Sequence, residues 1–159
     1  IRLLQNSDAG LLSEAWAPCV ADPGANLVKM AHDAGYRVSP LTGPSSILLA
    51  LMASGMNGQH FTFHGYLPID QKMRVNKITD LEKESMMKNQ TQIFMETPHR
   101  NMQLYNDILS ACKPETQLCI ASNLTMPDEL IVSQPVYKWK EQTVPELQGK
   151  PSLFLIYSC

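Results

Sequence analysis

The apolar positions change period several times along the chain, and each change marks an element. Leu27, Ala31 and Ala34 recur at helical spacing behind Asp22 and Pro23, a pair suited to cap and begin a helix, and Gly35 offers a left-handed stop. Tyr36 to Leu41 reads as a strand that Thr42-Gly43-Pro44 turns directly into an apolar helix ending near Ala53. A shorter strand is expected from Leu11 to Ser13, and Ile1 to Leu4 resembles the last turn of a helix. Strand, helix, strand and helix joined by short connections predict a parallel sheet covered by helices. Such a sheet needs more strands than these two, so the helix-like opening suggests a chain that omits the beginning of its first domain.

Turn formers from Ser54 to Gly58 mark a lobe boundary. Residues 1–58 are therefore expected to be the remainder of an N-terminal α/β domain, and residues 59–159 a C-terminal α/β domain with a mixed sheet. In the second lobe, strands are predicted at Phe61 to Tyr66, Gln92 to Glu96, Thr116 to Ser122, Leu130 to Val136 and Ser152 to Tyr157. Asp70 caps a helix that places Val75, Ile78, Leu81 and Ser85 on one face. Thr97-Pro98 opens another, with Met102, Tyr105, Leu109 and Cys112 in its stripe.

With 159 residues, 44% of them hydrophobic, the chain has the material for two small cores. The longest strongly apolar run, Ile47 to Ala53, falls far short of the roughly twenty residues a membrane-spanning helix needs. No membrane segment and no signal peptide is visible, so the expected compartment is the cytoplasm. A formal charge of −2, from 13 basic and 15 acidic residues, does not announce an extended phosphate-tracking surface. Cys19, Cys112, Cys119 and Cys159 have neither redox-pair nor zinc spacing, and they read as reduced thiols.

No strong metal signature is present: His60 and His64 are close in sequence but span a turn and a strand, while His32 and His99 stand apart. The nucleophile elbow Gly-x-Ser-x-Gly and the phosphate loop ending Gly-Lys-Ser/Thr are also missing, which disfavours acyl and nucleoside triphosphate hydrolysis. Glu14, Asp22 and Glu96 have the chemistry of acid/base groups, although carboxylates near turns commonly cap backbone donors. The loops Ser13-Glu14-Ala15 and Gly43-Pro44-Ser45-Ser46 each leave the carboxyl end of a predicted strand, where parallel sheets expose ligand crevices. These residues alone fit either a crevice for an elongated polar ligand or two ordinary strand-to-helix turns.

Several ordered blocks resemble the tetrapyrrole (corrin/porphyrin) methylase superfamily, especially its branch of ribosomal RNA small-subunit ribose 2′-O-methyltransferases. They are Ser13-Glu14-Ala15-Trp16-Ala17-Pro18, Asp22-Pro23-Gly24, the stretch from Ala34 to Ser46, Ala53-Ser54-Gly55, the stretch from Phe63 to Pro68, and Glu96-Thr97-Pro98-His99-Arg100. The resemblance implies a two-lobed α/β fold, with an incomplete N-terminal parallel-sheet domain, that binds S-adenosylmethionine. Ser13, Glu14, Ala15, Pro44, Ser45 and Ser46 would contribute to the cofactor surface. Glu14, Glu96 and His99 are the candidates for a catalytic group, and Arg100 accompanies the last two. The implied partner is ribosomal RNA or the small ribosomal subunit, and a homodimer is expected. A tetrapyrrole or other small methyl acceptor, or a non-catalytic interaction domain, are the alternatives. Two positions depart from the family: Trp16 stands where glycine is usual, and Ala121-Ser122-Asn123-Leu124-Thr125 stands where the ribosomal RNA enzymes show alanine-arginine-glutamate-leucine-threonine.

Overall fold

In a computed structural model, which describes residues 7–13 and 17–159, the strand-like runs of the second half all pair into one sheet. The elements are α1 (Ala25–Asp33), α2 (Ser46–Ser54), β1 (Phe61–Tyr66), α3 (Gln71–Lys88), β2 (Thr91–Glu96), α4 (Asn101–Ala111), β3 (Gln117–Ser122), β4 (Leu130–Pro135), α5 (Val136–Glu141) and β5 (Ser152–Tyr157). Strand order is β1-β2-β5-β3-β4. The β1–β2 pair is parallel, whereas β5 runs antiparallel to both β2 and β3, and β4 antiparallel to β3. The chain is thus a mixed α/β protein.

Burial on both faces explains why the three central strands read as nearly continuous apolar runs rather than strict alternations. Phe94, Phe154 and Ile120 are aligned across β2, β5 and β3, and the two phenylalanine rings stack with centroids 6.4 Å apart. Around them Ile78, Leu81, Leu104, Tyr105, Ile108, Leu118, Val136, Trp139, Leu147 and Ile156 form the core. Fully burying one such side chain contributes about 1.5–3 kcal/mol, so this cluster carries the unit's stability. Residues of α2 approach β3, β4 and β5.

Helix α3 begins as predicted, with Asp70 Oδ1 accepting from the Met73 N–H at 2.9 Å, and ends on left-handed Asn89. Its buried face holds an ion pair that hydrophobic periodicity does not reveal. Arg74 Nε and Nη2 both donate to Asp107 Oδ2 at 2.7 Å, Gln71 Nε2 donates to Oδ1, and Arg74 Nη1 donates to the Ile69 carbonyl. Glu82 clasps the α4–β3 connection through the Lys113 N–H and the Thr116 hydroxyl. Helix α5 was not expected from the sequence. Trp139 accounts for it: its indole N–H donates to the Leu118 carbonyl, and its ring meets Tyr105 edge-on.

Contacts divide the chain into Ile1–Ser45 and Ser46–Cys159. This division precedes the sequence boundary after Gly58, because α2 packs on the second unit's sheet. In the first unit, α1 starts at Ala25, so Asp22 and Pro23 lie in the preceding turn and the cap is Gly24. Its φ of 134° and the Leu11 Cδ2 atom, 2.6 Å from where a Cβ would sit, both require glycine there. Gly35 terminates the helix as expected: the Gly35 and Tyr36 N–H groups donate to the His32 and Ala31 carbonyls. Of the predicted stripe, Ala31 is buried while Leu27 is exposed. The segments 11–13 and 36–41 do not form strands among the described residues, because neither has a neighbouring strand to bond. The helical turn expected at Ile1 to Leu4 lies outside the described residues.

Two predictions follow from this packing. Asp107→Ala, which leaves Arg74 buried without its carboxylate, is expected to cost about 3–5 kcal/mol in equilibrium urea unfolding; a loss under about 1 kcal/mol would show that the pair is not buried in solution. Burial pushes the thiols of Cys112 and Cys119 up to about 12, the nearby Glu82 carboxylate adding to the effect at Cys112. An aromatic disulfide reagent at pH 8 should therefore label exposed Cys159 in the native protein, and Cys112 and Cys119 only after denaturation.

Candidate functional site

The carboxyl ends of the parallel strands β1 and β2 open on the same side of the sheet, delivering Tyr66 and Glu96 together. Ligand crevices of α/β sheets lie at such ends. Glu96 is 3% exposed, which demands that its charge be answered. Its Oε1 accepts from the Thr97 N–H and from Arg100 Nη2, each at 2.7 Å. Burial pushes the carboxyl upward, but the Arg100 guanidinium and the Thr97 donors outweigh it, holding the group below its ordinary 4.5. Glu96 Oε2 is buried and has no hydrogen-bond partner among the described residues.

Glu96 stands in register with Ser152 on β5, and Ser152 with Ser122 on β3. The Ser152 and Ser122 hydroxyls lie 2.9 Å apart, completing a buried polar row across three strands. Asn101, in the first turn of α4, closes it: its Nδ2 donates to the Leu147 and Lys150 carbonyls at 3.1 and 2.7 Å and to Ser152 Oγ at 3.2 Å. Of the sequence candidates, then, Glu96 and Arg100 are brought together, whereas His99 is exposed at the surface.

The β3–β4 turn at the same end of the sheet is tightly organised. Asn123 and Thr125 have φ of 49° and 69°, left-handed values that asparagine tolerates and that are strained for a β-branched residue. Asn123 Nδ2 donates to Asp128 Oδ2 at 2.9 Å, Lys150 Nζ lies 3.2 Å from the same oxygen, and the Thr125 N–H donates to Glu129 Oε2 at 2.6 Å. The Asn123 amide and the Lys150 ammonium hold Asp128 below the usual carboxylate range. Leu124, Thr125, Glu129 and Ile131 face Leu49, Met52 and Ala53 of α2 across a groove of about 350 Å³. Five of its lining residues are apolar, and Thr125 and Glu129 are polar.

Pro44 is exposed, Ser45 and Ser46 are half-buried, and Ser46 is the first residue of α2, the helix that walls this groove. Ser13 is half-buried, with a buried hydroxyl that has no partner among the described residues. Glu14, Ala15 and Trp16 lie outside the described residues. His60 and His64, close in sequence, have separate partners: His60 Nδ1 lies 3.0 Å from the Lys88 carbonyl, and His64 Nε2 lies 2.6 Å from Gln92 Oε1. Sequence reading missed Asn101, Lys150, Asp128, Glu129 and the α2 side of the groove. The turn-forming run from Asn123 to Asp128 was the available signal.

This architecture, with a mixed sheet whose ligand-accessible end carries a motif on either side, is that of a methylase fold. The chain belongs to the family of tetrapyrrole (corrin/porphyrin) methylases, which it matches over residues 6–139. It is similar to the ribosomal RNA small subunit methyltransferase I of Vibrio cholerae (36% identity over 135 residues, 85% of this chain and 46% of that protein). The proteins of the same name from Haemophilus influenzae and Xylella fastidiosa are 33% and 31% identical, over 88% and 98% of this chain and 48% and 55% of theirs. The chain thus spans about half the length of these curated relatives. Among solved structures, the methyltransferase CobJ superposes with a TM-score of 0.59 at 16% identity, covering 91% of this chain and 62% of that one. The uroporphyrin-III-C-methyltransferase of Thermus thermophilus gives 0.52 at 19%, covering 89% and 60%. At such identities the two structures establish the fold.

Because the Glu96 carboxyl is held below 4.5, its contribution to stability is fully present above that value and is lost as pH falls through the lower folded value. Glu96→Gln should accordingly flatten the acid limb of the stability profile below about pH 4.5, read by thermal unfolding against pH. An unchanged acid limb would show that Glu96 is not ion-paired in solution.

Proposed function

We propose that this protein is an S-adenosylmethionine-dependent methyltransferase that methylates a ribose hydroxyl of small-subunit ribosomal RNA. The observation that carries the reading is the family match over residues 6–139, together with relatives named as ribosomal RNA small subunit methyltransferases at up to 36% identity. The groove agrees with it. Apolar Leu49, Ala53, Leu124 and Ile131 suit the faces of an adenosyl ring system.

Ser13, Glu14, Ala15, Pro44, Ser45 and Ser46 are the proposed cofactor contacts, as the family resemblance implies. The cofactor supplies an activated methyl group on a sulfonium. Bound, it would offer that methyl group to an acceptor hydroxyl, whose proton a base of the protein would take. The protein's contribution is therefore alignment, exclusion of water and an acceptor for one proton. Glu14, Glu96 and His99 are the candidates for that acceptor. Glu96 offers a buried oxygen without a hydrogen-bond partner among the described residues, and its low proton affinity suits it better to hydrogen-bonding than to holding the proton.

The reading extends to a cytoplasmic homodimer; among the described residues no helix is long and apolar enough to cross a membrane. Calorimetric titration of the complete protein should show saturable binding of S-adenosylmethionine and S-adenosylhomocysteine. Radiolabelled methyl transfer should favour purified small ribosomal subunits over porphyrin precursors, and the opposite preference would reassign the acceptor to a small tetrapyrrole. Absence of binding for both nucleosides would remove the methyltransferase reading altogether.

A further inference from the structure

We infer that Glu129 is a positioning residue, which holds the lip of the groove in the strained shape that receives an adenosyl group. This inference rests on the cofactor reading above. Thr125 lines the groove at a φ of 69°, a conformation that costs a β-branched residue of order 1–3 kcal/mol and persists only where neighbours enforce it. The turn is closed by the Met126 N–H on the Asn123 carbonyl at 3.0 Å, and Glu129 adds a side-chain hold, its Oε2 accepting from the Thr125 N–H at 2.6 Å.

The lip is anchored on its other side as well. Asn123 is left-handed too, and its Nδ2 bonds Asp128, which Lys150 meets at 3.2 Å; the Asn123 N–H donates to the Pro151 carbonyl at 2.9 Å. Lys150 is fixed in turn through its carbonyl by buried Asn101. The turn is thus stapled to the start of β5 at Asn123, while at the Thr125 end the Asn123–Met126 backbone bond and the Glu129 carboxylate act together. Leu124, between the two left-handed residues, is the residue whose presentation to the groove the arrangement sets.

The test compares Glu129→Ala, Glu129→Gln and the double variant Glu129→Ala/Thr125→Asn in the complete protein, with S-adenosylhomocysteine as the probe. Glu129→Ala should weaken binding about tenfold, the order expected when a strained residue is released. Glu129→Gln, which keeps an acceptor oxygen, should recover most of that loss. The double variant should also recover binding, because asparagine tolerates the left-handed region without enforcement. Recovery by asparagine separates positioning from direct ligand contact, since it restores the backbone and not the carboxylate. A ligand-free crystal structure of Glu129→Ala should show Thr125 outside the left-handed region. Wild-type binding with Glu129→Ala unchanged, failure of the double variant to recover, or a Thr125 φ that stays near its original value would each overturn the role of Glu129 while leaving the cofactor reading intact. No binding by the wild type would overturn both.

Discussion

The side-chain amide of Asn101 is wholly buried and donates to two carbonyls of the segment leading into β5 and to Ser152. That single amide joins the first turn of α4 to the strand at the centre of the sheet. Because β5 pairs with both β2 and β3, fixing where it begins also fixes the row Glu96, Ser152 and Ser122. It determines where the Lys150 side chain emerges as well, and hence where Asp128 and the β3–β4 turn are held. A buried donor that lost these acceptors would cost about 1–3 kcal/mol, comparable with the strain stored in the neighbouring turn. One residue therefore sets both sides of the candidate site.

Much of the second unit was legible in the sequence because its signals are local. Asp70 caps α3 as its type and position predict, and the five strand-like runs became the five strands. The parts that were not legible depend on partners distant in sequence. The α3 face carries Arg74, which reads as a solvated charge until Asp107 arrives from α4. Trp139 forms a short helix only because the Leu118 carbonyl waits for its indole. In the first unit the error ran the other way: Tyr36 to Leu41 has strand composition, but composition cannot supply the neighbour that a strand must bond.

The site divides along the same line. Glu96 and Arg100 belong to one motif, four residues apart at a helix start, so their pairing could be anticipated from spacing. The groove could not. Its walls come from α2 and from a turn far along the chain, and its shape depends on a left-handed threonine that no propensity would place there.

The carboxyl end of the parallel strands can meet an anion only through the cations placed near it. Its nearby cations are Arg100 and Lys150, and each already faces a carboxylate. The two pairs differ in what a competing phosphate would meet. Glu96 has a side chain only 1% exposed, so removing Arg100 would strand a buried charge, at a cost far above the net value of a surface contact. Asp128 is 55% exposed, and its pairing with Lys150 is of the solvent-screened kind worth at most about 1 kcal/mol. Lys150 is thus the cation here that can change partners cheaply, and its carbonyl stays tied to Asn101 while it does so. An exchange at Lys150 would loosen the Asp128 side of the turn but leave the Glu129–Thr125 bond in place, so a phosphate could be met at this end without dismantling the groove lip.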